Sequence, residues 1–219
     1  MWSSEVTNMI ITGIWETLYM TLVSTLVGYV IGLPMGIILT VSDKDGIKPN
    51  AVLYKILDVI ANIVRSVPFI ILLVLLIPFT RLVVGKSYGS TATIVPLVIA
   101  AAPYIARMVE SSLKKVDAGV IEAARSMGAS NFTIITKVML VEARTSLLVG
   151  ATITLGTILG YSAMSGAVGG GGLGAIAIRY GYTRWQTDIM IVTVILLIIL
   201  FQIFQTVGMK LADKFDHRK

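Results

Sequence analysis

The chain predicts an all-α integral membrane protein of five transmembrane helices, and three observations carry that prediction. Of 219 residues, 56% are hydrophobic and 14% charged, and the mean hydropathy of +0.87 exceeds what a soluble domain of this length carries. The apolar residues gather in stretches near 17–42, 56–79, 91–113, 145–165 and 189–209. Each is long enough to cross a hydrocarbon core of about 30 Å. The one long polar-bearing interval, 116–143, separates the third stretch from the fourth, and residues 1–219 read as a single transmembrane domain.

The start, Met1 to Ile14, has no lysine or arginine and no small-residue cleavage site, so it does not read as a signal peptide. Thr17 to Ser42 carries no charge and forms span one. Within it Gly28, Gly32 and Gly36 make a smooth stripe for close helix approach, either inside the chain or between subunits, and Pro34 predicts a kink. Gly46 and Pro49 stop helix in the polar loop Ser42 to Asn50. Span two is interrupted by Asn62, Arg65 and Pro68; Arg65 either anchors the helix end, with Pro68 as a kink, or belongs to a gate. A short loop, Arg81 to Ser90, leads to span three, which contains Pro96 and Pro103 and, at its far end, Arg107 and Glu110 at pairing distance on one helix.

Residues 116–143 read as two short amphipathic helices around a glycine break. Asp117 is the N-cap of the first; Val120, Ile121, Ala124 and Met127 share one face, while Glu122 and Arg125 point elsewhere. Gly128 ends that helix with positive φ, and Ser130 caps the second, where Phe132, Ile135 and Met139 repeat the stripe. Such an elbow is a candidate docking knob. Thr145 to Ile178 then runs 34 residues without charge, too long for one upright helix, and the glycines from Gly166 to Gly174 predict a break after the fourth crossing. Irregular backbone at membrane depth belongs where protein or a water-filled cavity satisfies it. Tyr161, Ser162, Met164, Gly166 and Gly169 are therefore candidates to line a pathway, the alternative being a flexible turn. No Gly-Lys-Ser/Thr ending makes this a phosphate cradle. Arg179 to Asp188, with Tyr180, Tyr182 and Trp185, predicts an aromatic outer loop before the last span and a polar, basic tail.

Without cysteine the chain has neither disulfides nor thiolate metal sites. The single His217, in the charged tail, reads as a surface residue, and no basic face interleaved with aromatics suggests nucleic acid. Placing 116–143 inside collects fourteen lysines and arginines on the cytoplasmic side and leaves Arg81, Lys86, Arg179 and Arg184 outside. The expected orientation is N-terminus outside and C-terminus cytoplasmic.

Glu122-Ala123-Ala124, then Gly128, then Val138-Met139-Leu140-Val141 resembles the EAA loop of permease subunits of bacterial ABC importers. Two positions depart from the family pattern: Val138 stands where isoleucine is usual, and Val141 where proline is. The resemblance implies a cytoplasmic coupling helix, with Asp117, Val120, Ile121, Glu122, Ala123, Ala124, Arg125, Met127 and Gly128 docking into a separate P-loop ATPase. Arg65-Ser66-Val67-Pro68-Phe69 is similar to a signature of amino-acid importer permeases, and Arg65 and Pro68 stand as candidates for the translocation path or gate beside the anchor-and-kink alternative. Gly160 to Gly174, followed by Arg179-Tyr180-Gly181-Tyr182, looks like the matching segment of methionine-importer permeases. That likeness covers nearly the whole chain. It implies a homodimer in the bacterial cell membrane, in contact with lipid, that passes D- and L-methionine delivered by an extracytoplasmic substrate-binding protein. The chain has no nucleotide-binding motif, catalytic residue or metal cluster, so ATP and Mg are expected on the partner and no cofactor on this chain. Two other readings stay open: an ABC permease for another amino acid or small solute, and a secondary transporter or channel. The latter is expected to show paired repeats or an ion-coupling carboxylate inside a span.

Overall fold

In chain order the helices are Ser4–Ser42 (α1), Ala51–Ser66 (α2), Phe69–Leu75 (α3), Ile77–Val84 (α4), Ser90–Leu113 (α5), Ala118–Ser126 (α6), Asn131–Thr133 (α7), Leu140–Glu142 (α8), Arg144–Ser165 (α9), Gly172–Ile176 (α10) and Thr187–Lys214 (α11). A π-helical turn, Ile134–Met139, joins α7 to α8; a second, Ala177–Tyr182, prolongs α10; and a 3-10 turn, Gly166–Val168, follows α9. The computed structural model describes residues 4–215, so His217 and the tail charges Arg218 and Lys219 lie outside the described residues, as do the first three of the start. No strand occurs among the described residues. Four helical stretches are long and apolar enough to cross a membrane, Ser4–Ser42, Ser90–Leu113, Arg144–Tyr182 and Thr187–Lys214; a fifth crossing requires the bent pair α2 and α3 to count as one.

The charge-free stretch 17–42 is the inner part of a longer helix. α1 has 39 residues, about 58 Å at 1.5 Å per residue, and Glu5 and Glu16 lie inside it. Its glycine stripe packs within the chain, against α5. A Cβ added at Gly32 would sit 2.6 Å from the Ala102 carbonyl oxygen, and one at Gly36 would sit 2.5 Å from that of Ala106. In lipid, helices gain little from exclusion of water, so this close backbone approach, with its van der Waals contact, is what binds α1 to α5. Met20, Leu97, Ala101, Ile105 and Ile158 fill the core beside that seam.

Span two is not a single helix. Val67 takes φ −84°, ψ 125°, the extended conformation that a following proline imposes, and α3 leaves α2 at 102°. The bend at Pro68 is therefore far sharper than a kink. α2 itself buries only Ala61. The expected outer loop 179–188 is also shorter: helix continues through Tyr182 and resumes at Thr187. Tyr182 and Trp185 are exposed there, as headgroup-level aromatics are.

Candidate functional site

The segment 116–143 folds as an elbow. Asp117 caps α6 by accepting the Gly119 N–H at 2.7 Å, and Ser130 Oγ accepts the Thr133 N–H at 3.2 Å. Gly128 has φ +79°, the left-handed residue that ends α6. The expected apolar face divides. Ala124 is buried and Ile121 half-buried against Leu113, Ile134 and Met139, whereas Val120 is 42% and Met127 82% exposed. At 100° per residue the four positions span too wide an arc for one small contact, so Val120 and Met127 turn outward beside the exposed Ala123. Phe132 is exposed as well, at 76%, and Glu122 is exposed on another side of α6 from Val120 and Met127. Clefts flank the elbow on both sides. One of about 490 Å³ is lined by Asp43, Ile47, Lys114, Ile121, Glu122 and Arg125; one of about 660 Å³ includes Asp117, Val120, Val141, Glu142, Arg144 and Phe215.

The pathway candidates fall into two groups. Tyr161 is half-buried and stacks face to face on Phe69, with ring centroids 4.5 Å apart and planes within 3°, so the residue after Pro68 meets the end of α9. Arg65 and Pro68 are exposed on either side of the bend. Ser162 is buried and donates to the Leu159 carbonyl at 2.8 Å, while Met164 is 52% exposed. The glycine break is fixed by its neighbours. The Gly172 N–H donates to Glu16 Oε2 at 2.7 Å and the Leu173 N–H to Thr17 Oγ1 at 2.9 Å. The Gly89 N–H donates to the Gly169 carbonyl at 2.8 Å, and Thr93 Oγ1 to that of Gly170 at 3.3 Å. A Cβ at Gly166 would strike the backbone of Gly174 and Ala175. Protein groups rather than water thus answer these backbone atoms.

A charge network lies between α2, α5 and the 43–50 loop. Arg107 Nη1 donates to Glu110 Oε2 at 2.7 Å, realising the expected pair, and its Nη2 serves Asp58 and, at 3.0 Å, Asn62. Glu110, only 5% exposed, also takes Lys114 Nζ at 2.8 Å and the Tyr54 hydroxyl at 3.4 Å. Lys114 reaches Asp43 at 2.6 Å. That ammonium holds the Asp43 carboxyl below its ordinary range. Burial works against the Lys114 charge, but its bonds to Asp43 and Glu110 outweigh this and raise its pKa.

Residues 28–218 match the family described as "Binding-protein-dependent transport system inner membrane component". The chain belongs to that family. Among relatives of this inner-membrane component, the probable D-methionine transport system permease protein MetI of Vibrio cholerae is 48% identical over 99% of this chain and 96% of its own length. The D-methionine transport system permease protein MetI of Escherichia coli K12 is 51% identical over 72% of this chain and 73% of its own. A chain from an inward-facing structure of the MetNI methionine ABC transporter superposes with a TM-score of 0.97 at 49% identity, covering 99% of this chain and all of that one. An amino acid ABC transporter crystallised with histidines shares the fold alone, at a TM-score of 0.73 and 22% identity.

In this transport component the sequence assigns no partner to Glu16, Thr17, Asp58 or Asn62, although Asn62 stands out as an interruption of span two. Glu16 carries one usable signal: an acid immediately ahead of a charge-free apolar run is either a helix boundary or a buried bond. Asp58 and Asn62 pair across 49 and 45 positions with Arg107, and no local spacing announces that.

Proposed function

We propose that this chain is the permease subunit of an ATP-driven importer, and that two copies enclose the path of D- and L-methionine. A separate P-loop ATPase, which carries ATP and Mg, docks on each elbow, and an extracytoplasmic binding protein delivers the solute. The likeness at 49% identity and TM-score 0.97 over 99% of the chain to part of a methionine ABC transporter carries this reading. It favours methionine over another solute, and the ABC importer over a secondary transporter. The docking surface is the outward face of α6: Val120, Glu122, Ala123 and Met127, with Arg125, Asp117 and Gly128 fixing its shape. Ile121 and Ala124 seat it on the core. Small and flexible side chains let a partner approach the backbone closely, and Glu122 offers a carboxylate to a basic group.

The charge distribution supports an N-terminus outside and a C-terminus in the cytoplasm, with the elbow facing the ATPase. α2 and α3 together then make the fifth crossing of a single permease domain, in contact with lipid. Arg65, Pro68, Tyr161, Ser162, Met164, Gly166 and Gly169 border the path, and the solute meets no cofactor on this chain.

Liposomes holding this chain, its ATPase and the binding protein test the reading. ATP-dependent accumulation of radiolabelled methionine, abolished by excess unlabelled methionine, is expected. Accumulation that unlabelled methionine leaves untouched discards the substrate. Glu122→Lys is expected to insert normally and to lose ATP-driven uptake; full uptake in that variant sinks the docking assignment.

A further inference from the structure

We infer that Arg107 is the positioning hub through which movement of the elbow reaches α2 and, beyond the Val67–Pro68 bend, the Phe69–Tyr161 stack. The inference rests on the importer reading above. Three observations carry it. First, the elbow and the end of α5 are tied to the loop that leads into α2: Arg125 Nη2 donates to the Ile47 carbonyl at 3.0 Å, Lys114 at the end of α5 bridges Asp43 and Glu110, and Asn50 at the end of that loop caps α2 through the Leu53 N–H at 3.0 Å. Second, α2 buries only Ala61, so apolar packing does little to set its position. Its fastening to α5 is the set of bonds from Arg107 to Asp58 and Asn62, reinforced by Asn62 Nδ2 on Asp58 Oδ2 at 3.2 Å and by Tyr54 on Glu110. Third, α2 leads after two extended residues into α3, whose first residue, Phe69, stacks on Tyr161.

Arginine suits this position. Its planar fork presents several donors at once, so one side chain holds a carboxylate on its own helix and two acceptors on another. Partly buried ionic bonds such as that of Arg107 to Asp58 are directional and stronger than they would be in water. α2 therefore follows α5 instead of sliding past it, and α5 runs into the elbow through Lys114.

The test cuts the link on the α2 side. Asp58→Ala with Asn62→Ala removes both side-chain acceptors of α2, while the buried Glu110 keeps its bonds to Arg107 and Lys114, which protects the fold. In liposomes with the ATPase and binding protein, the quantity read is methionine accumulated per ATP hydrolysed. That ratio is expected to fall about tenfold, the scale of an ordinary coupling between sites, with hydrolysis continuing. Asp58→Glu, which keeps the carboxylate, is expected to restore most of it in the presence of Asn62. An unchanged ratio overturns the inference, even if uptake and hydrolysis decline together, because the contact then serves assembly alone. Absence of ATP-driven uptake in the unaltered protein removes the importer reading, and this inference with it.

Discussion

The molecule breaks its helices at two places, by different means. At Val67 and Pro68 the break is made by the chain itself. Proline lacks an N–H and forces its predecessor out of helix, so α3 departs at 102° with Pro68 and Ser66 exposed. At 166–174 nothing local dictates one conformation. Glycine permits many, and the one adopted is selected by Glu16, Thr17, Gly89 and Thr93 on α1, α5 and the turn between α4 and α5. Gly170, Gly172 and Gly174 are accordingly buried. The proline break is begun locally and is also held by the packing of α3, whereas the glycine break takes its shape from its surroundings, and substitutions at the two should differ in cost.

The largest effect is expected at Gly174. A Cβ there would overlap the Ala163 backbone, and backbone yields less readily than a side chain. Gly174→Ala should lower stability by about 3 kcal/mol, near the upper end for overpacking, read as a fall in unfolding temperature in detergent. Next comes Glu16→Ala, which leaves the Gly172 N–H without its acceptor and should cost about 2 kcal/mol. Glu16→Gln keeps an oxygen acceptor and should recover more than half of that. If both glutamate variants match the unaltered protein, the glycine break does not depend on α1.

These expectations also mark what the sequence made legible. Local rules are read from neighbouring residues, and so the caps at Asp117 and Ser130, the left-handed Gly128, the Arg107–Glu110 pair and the glycine break were all visible before the fold. The whole-chain resemblance likewise led to the transport family that residues 28–218 match. What escaped is non-local or depends on the environment. A charge inside an apolar helix is costly unless paired, and the partner of Glu16 is 156 residues away. The elbow stripe grouped Val120 and Met127 with Ile121 and Ala124, because periodicity gives an arc but not how much of that arc a neighbour covers. Beyond the bend at Pro68, Phe69 meets Tyr161, and no spacing rule contains that contact.

Pro68→Ala sharpens the comparison from the other side. The native Pro68 angles, φ −54° and ψ 134°, suit alanine as well. Leu72 and Leu73 of α3 are buried and Phe69 is stacked, so the bend should persist. The cost should be about 1 kcal/mol or less, mostly from greater freedom of the unfolded chain. A loss exceeding that of Glu16→Ala in the same detergent assay would reverse the order of the two breaks.

The smallest effect is expected outside both breaks, at Asp43, whose partner Lys114 is 42% exposed. Water screens such a pair, so Asp43→Asn should cost about 0.5 kcal/mol at neutral pH. The dependence on pH fixes its origin. Because the Asp43 carboxyl is held below its ordinary range, its contribution is complete above the unfolded value of about 3.9 and is lost as pH falls through the lower folded value. Unfolding midpoints of the two proteins should therefore differ at pH 7, begin to converge only below about pH 4, and coincide once the pH lies below the lowered folded value, where both side chains are neutral. A difference that survives acidification would mean that Asp43 contributes through the geometry of the bond its side chain accepts from the Lys44 N–H rather than through its charge.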